Sequence, residues 1–219
     1  MQHITPRSQE QSHGLEVVNL ILLKSFQAGI LLSLAVVVFL VSTNQLLGAV
    51  LCSAIVYMMC ELGMPVLMFN TWNMTKDTKV LFFLLCAFGN CLGCALSSLA
   101  LKYVVPSVAV RVAAICEIRM ARSYEIIFLA AFFCGALITA ATQALKGSTG
   151  LTQFVGLFIC MNIYLLCGLE HAIMDVALFF LHSTHHITEA ALFTVCVLGG
   201  NAIGTFIFSR LKHLPTKHT

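Results

Sequence analysis

Six apolar runs make up most of this chain, and each is long enough to cross a bilayer. They are Leu15 to Val41, Leu46 to Trp72, Val80 to Val105, Ile126 to Leu145, Phe154 to Leu181 and Ala190 to Phe208. A membrane's hydrocarbon core takes about 20 helical residues per crossing. Lipid offers the backbone no hydrogen-bond partner, so each run is expected to be helical. Only 10% of residues are charged, against roughly a quarter in soluble domains. So little polar surface does not cover a water-soluble fold. Six crossings leave short linkers and no room for a second domain, so residues 1–219 read as one integral membrane domain. Met1 to Gly14 is polar and lacks the basic start and short apolar stretch of a signal peptide, so the first run is expected to be kept as a span. No Lys/Arg cluster points to nucleic acid.

The sequence also repeats itself. Gly89-Asn90-Cys91-Leu92-Gly93 in the third run and Gly200-Asn201-Ala202-Ile203-Gly204 in the sixth are both G-N-x-x-G, 111 residues apart. Cys60-Glu61-Leu62-Gly63 in the second run is matched by Cys167-Gly168-Leu169-Glu170-His171 in the fifth, the cysteines 107 apart. Ala28-Gly29 and Cys134-Gly135 pair the first and fourth runs, 106 apart. Three matches in one order predict a duplication, with repeat one over about 15–105, a linker over about 106–125 and repeat two over about 126–211. Each half has an odd number of spans, so the second is expected to be inverted relative to the first, as in many transporters and channels. Breaks are expected in the second run, at Gly63 and Pro65, and in the fifth, at Gly168. The linker carries Arg111, Glu117, Arg119, Arg122 and Glu125 and reads as an interfacial helix joining the halves. With both termini on one side, that side holds seven Lys/Arg against four, which places the termini in the cytoplasm.

Ionisable groups within spans are costly and usually functional. Here they are Lys24, Glu61, Glu170, His171 and Asp175. Lys24 lies near the end of its run, where a long side chain reaches the interface. Glu61 and Glu170 sit beside breaks, where a carboxylate can accept from freed backbone N–H groups. His171 is the best candidate for chemistry, because an imidazole with a pKa near 6.5 exchanges protons around neutrality. Asp175 is one helical turn on and is placed to hydrogen-bond that ring. His182, His185 and His186 follow in the next linker, which keeps open a metal site with His171 and Asp175. Asn90 and Asn201, flanked by glycines, suit close helix packing, and their side chains also suit the backbone of a broken helix. The ten cysteines lie mostly in apolar runs and read as small buried hydrophobes.

The run Cys167-Gly-Leu-Glu-His-Ala-Ile-Met-Asp175 resembles the signature of the formate/nitrite transporter family, in which G-F/L-E-H-S/A-I-x-N breaks the fifth helix. Cys60-Glu-Leu-Gly63 resembles that family's C-G-x-E/D-L-F-T loop in the second helix, and the two G-N-x-x-G segments resemble its third and sixth. The resemblance implies a homopentamer of six-helix, aquaporin-like protomers, each with its own pore for a small monovalent anion such as formate, nitrite, hydrosulfide or acetate. It implies that His171 is the pore histidine between two apolar constrictions, shaped by the breaks at Glu61 to Phe69 and Gly168 to Asp175. Two positions depart from the pattern. Asp175 replaces an Asn, and Gly63-Met64 replaces Phe-Thr, so Met64 stands where the loop hydroxyl is expected.

The expectation is therefore an all-α channel or proton-coupled transporter in the cell (inner) membrane, for a small anion or its conjugate acid. It is not an enzyme and needs no cofactor. Its pore residues are His171, Asp175, Glu170, Glu61, Met64, Asn90, Asn201 and Lys24. The alternatives are a same-fold pore for a neutral or cationic solute, and a metalloenzyme using His171, Asp175 and His182 to His186.

Overall fold

A computed structural model describes residues 6–67, 76–147, 149–183 and 186–211. Met1, Phe69, Trp72 and His185, named above, lie outside them. The described residues form eight helices and no strand. They are α1 (Pro6–Val41), α2 (Gln45–Glu61), α3 (Lys76–Val104), α4 (Val108–Met120), α5 (Tyr124–Gly147), α6 (Leu151–Leu166), α7 (Ala172–His182) and α8 (Ile187–Leu211). Four of them, within α1, α3, α5 and α8, are long and apolar enough to cross a membrane. Helices α2, α6 and α7 are shorter and equally apolar. Helix α1 begins well before the first apolar run, since the polar residues ahead of Leu15 are compatible with helix. The segment expected to join the halves is helix α4.

The fifth run is helical on both sides of a break at residues 167–171, and the second is helical as far as Glu61 and non-helical over residues 62–67. The two helices end in the same way. Gly63 and Gly168 both take positive φ, 63° and 62°, which costs a residue without a Cβ little. Gly63 N–H donates to the Cys60 carbonyl and Met64 N–H to that of Met59, both at 3.0 Å. Likewise Gly168 N–H donates to Leu165 at 3.2 Å and Leu169 N–H to Tyr164 at 3.0 Å. This is the Schellman motif, which satisfies the last carbonyls of a helix and turns the chain away. Pro65, which lacks an N–H, then prevents the first break from closing back into helix.

Helix α1 packs most extensively on α3, and α5 on α8. Glycines permit both approaches. A Cβ added to Gly29 or Gly93 would come within 3.0 Å of backbone across the α1–α3 contact, and one added to Gly135 or Gly204 would do so across α5–α8. Gly204→Ala is expected to lower stability by about 1–3 kcal/mol, because the Phe132 carbonyl it would strike is backbone and cannot turn aside. Gly199→Ala meets nothing within 4 Å and is expected to leave stability unchanged or raise it by up to about 1 kcal/mol, since alanine is the better helix former. Thermal midpoints of the two variants in one detergent check the contrast.

The outward faces are apolar. Leu81, Leu84 and Phe88 of α3 and Leu192, Val195 and Phe206 of α8 are all more than half exposed. A surface of this kind suits hydrocarbon and not water. The protein is a multi-pass membrane protein.

Candidate functional site

Each break is pinned by one asparagine. Asn90 of α3 is fully buried. Its Oδ1 accepts from Leu67 N–H at 2.9 Å, and its Nδ2 donates to the carbonyls of Pro65 at 3.0 Å and Ser25 at 2.8 Å. Asn201 of α8 repeats the arrangement. Its Oδ1 accepts from Ala172 N–H at 3.1 Å, and its Nδ2 donates to the carbonyls of Glu170 at 2.9 Å and Ala131 at 2.8 Å. In both cases one amide group takes an N–H and a carbonyl two residues apart in the break, then ties them to a neighbouring helix. Unpaired, these groups would be expensive in an apolar interior.

Asn201 therefore fixes the residues on either side of His171. That residue has extended backbone (φ −125°, ψ 116°) and stands at the N-cap of α7. Its side chain is 3% exposed. Neither ring nitrogen has a hydrogen-bond partner among the described residues. The Tyr164 ring lies 6.1 Å away, centroid to centroid. The imidazole lines a cavity of about 30 Å3, shared with Arg119, Asp175, Tyr164 and the apolar side chains of Phe39 and Leu40. A space of that size admits a water molecule.

Asp175 does not hydrogen-bond His171, contrary to the helical-turn argument. Its partner is Arg119 of α4, which hydrogen-bonds Asp175 Oδ1 through Nη1. The same nitrogen lies 2.7 Å from Glu170 Oε2, a charge contact rather than an aligned hydrogen bond. Arg122 Nη1 meets Glu170 Oε1 at 2.8 Å and lies 3.4 Å from the Gly168 carbonyl. Glu170 is fully buried and Asp175 is 1% exposed. One arginine of the linker helix and one of the turn after it thus face Glu170 in the fifth-run break and Asp175 in the first turn of α7. Burial opposes the Arg119 charge, but Asp175 and then Glu170 outweigh it and raise the pKa above the ordinary arginine value. The guanidinium beside the cavity is a permanent cation. Neither arginine was among the candidate site residues.

The remaining candidates lie elsewhere. Glu61 is exposed at the end of α2, with Gln153 Nε2 3.4 Å from its carboxylate. Met64 is half-buried in the first break, and Lys24 is half-buried on α1 near Gly63. His182 ends α7 while His171 precedes it, so the helix holds them roughly 16 Å apart. No group of three His, Cys, Asp or Glu among the described residues is placed to hold a metal. All ten cysteines are unpaired.

No protein-family model matches the chain, and no curated protein matches it in sequence. Solved structures do match. A pentameric formate channel with formate bound superposes with a TM-score of 0.77 at 14% identity, over 90% of this chain and 96% of that one. The chain has the fold of that channel. An FNT family ion channel superposes equally well, at 0.76 and 14% identity, over 94% of this chain and 93% of that one. The FNT fold accounts for nearly all of the chain. At 14% identity the side chains of the site have to be read from this chain itself.

Proposed function

We propose that this protein is a membrane channel or proton-coupled transporter for a small monovalent anion or its conjugate weak acid. The single observation that carries the reading is His171. It is a buried imidazole with both nitrogens unpaired among the described residues, on a small cavity beside a permanent cation. A bare charge at the bilayer centre costs several kcal/mol. An imidazole that has taken up a proton offers an anion its counter-charge and can pass the proton to it, so the apolar stretches on either side are crossed by the neutral acid. Asp175, which argues for a cationic solute when read alone, is taken up by Arg119. This favours the weak-acid reading over the alternative pore.

The reading includes six membrane crossings in two inverted halves, with α2 and its break as the second and α6, break and α7 as the fifth. The matched Schellman turns and matched asparagine pins support it. It also includes a homopentamer in the cell membrane with cytoplasmic termini, and transport rather than catalysis. The likeness to a pentameric channel supports the assembly.

Liposomes with an internal pH dye test the reading. Pulses of formate, nitrite, hydrosulfide and acetate are expected to change internal pH faster with protein than without. A response to ammonium alone would favour the cationic pore. No protein-dependent response to any of them would overturn transport of small weak acids and bases.

A further inference from the structure

Helix α4 carries Arg111, Ile115 and Arg119 at spacings of four, which place them on one helix face, and Arg122 follows in the turn after the helix. That face meets the rest of the molecule at three points. Arg111 Nη1 donates to the carbonyls of Leu40 at 2.7 Å and Ser42 at 2.5 Å, at the C-terminal end of α1. Arg119 and Arg122 hold Glu170 and Asp175 as described. Between these anchors lies Ile115.

Two cavities adjoin Ile115. One is the His171 cavity of about 30 Å3. The other, about 280 Å3, is lined by Arg111, Thr43 and Gln45. Phe39, Leu40 and Ile115 line both. Three apolar side chains therefore form the wall between a roomier, polar-edged space and the histidine. Phe39 and Leu40 belong to α1, a long helix clamped on α3. Ile115 belongs to a 13-residue helix held by the arginine contacts and by the buried side chains of Val108, Val112 and Cys116.

Resting on the transport reading, we infer that Ile115 is the size-selecting residue on the α4 side of the pore, and that Arg119 is the positioning residue that holds it there. A solute moving between the two cavities passes the Ile115 side chain. A wall of this kind discriminates by bulk, and a methylene is worth roughly 10-fold or more where space is tight. Both carboxylate contacts of Arg119 go to one nitrogen, Nη1. A single ammonium can replace them, which separates the positioning charge from the shape of the guanidinium.

The test is the ratio of lactate to formate flux in proteoliposomes, with protein-free liposomes subtracted and each variant checked for monodisperse elution. Ile115→Ala is expected to raise the ratio about tenfold. Ile115→Val is expected to raise it less. Ile115→Phe should suppress lactate flux while formate still passes. Arg119→Gln is expected to shift the ratio in the same direction as Ile115→Ala, and Arg119→Lys to keep it near wild type. Wild-type flux with a ratio that no Ile115 variant moves overturns the size-selecting role alone. Arg119→Gln with the wild-type ratio overturns the positioning role. Wild-type liposomes that pass neither acid overturn the transport reading, and this inference with it.

Discussion

Arg119→Ala is expected to destabilise the folded protein by about 3–5 kcal/mol, the cost of leaving one member of a buried ion pair without its partner. Glu170 keeps Arg122 when Arg119 is removed, but Asp175 loses its guanidinium partner. Asp175 is 1% exposed, so water does not take over. For a chain of this length the change corresponds to a fall in melting temperature of roughly 10 °C. Asp175→Asn in the Arg119→Ala background is expected to recover most of it, because an amide needs no counter-charge. Asp175→Asn alone should be mild, since Arg119 retains Glu170. Melting curves of the two single variants and the double variant give the coupling directly. Strictly additive single effects would mean that the pair does not act as a pair.

His171→Ala is expected to reduce weak-acid flux by about 100-fold, the low end of what a positioned proton donor contributes. The substitution enlarges the cavity, so a simple widening of the path would raise flux instead. His171→Asn keeps a hydrogen-bonding side chain but cannot exchange a proton in this pH range. It should therefore fail almost as badly, and its remaining flux should follow only the concentration of undissociated acid outside. If His171→Asn keeps both the flux and the pH profile of wild type, His171 lines the path without protonating anything. Both variants leave Glu170, Asp175 and Asn201 in place, so their melting temperatures should stay close to wild type.

The breaks are legible in the chain because they are made locally. Gly63 with Pro65 and Gly168 interrupt their runs through backbone geometry that a neighbouring residue or two decides. His171, Glu170 and Asp175 stand out for the same reason, as ionisable groups in apolar surroundings. What those groups bond to is decided over long distances. Arg119 and Arg122 lie 56 and 48 residues from their carboxylates, in a polar linker where charges are ordinary. Helical spacing favours Asp175 with His171, but the pairing that forms is the one that neutralises a buried carboxylate with a fixed cation. The second span shows another limit. Glu61 resembles Glu170 in its local sequence, yet it ends its helix exposed, and the arginines of the linker go to the other break. The three-residue apolar wall around Ile115 has no sequence signal, since it joins α1 to the linker and neither part is unusual alone.

The four charges around the second break have one more consequence. Two guanidinium groups and two carboxylates formally sum to zero, and they are bonded to one another within a few ångströms. A potential across the membrane exerts almost no net force on such a group. For a single elementary charge crossing the whole membrane, 100 mV corresponds to about 2.3 kcal/mol. Voltage dependence of flux therefore does not come from this cluster, and current–voltage curves report the charge that moves with the solute, including any proton it exchanges with His171.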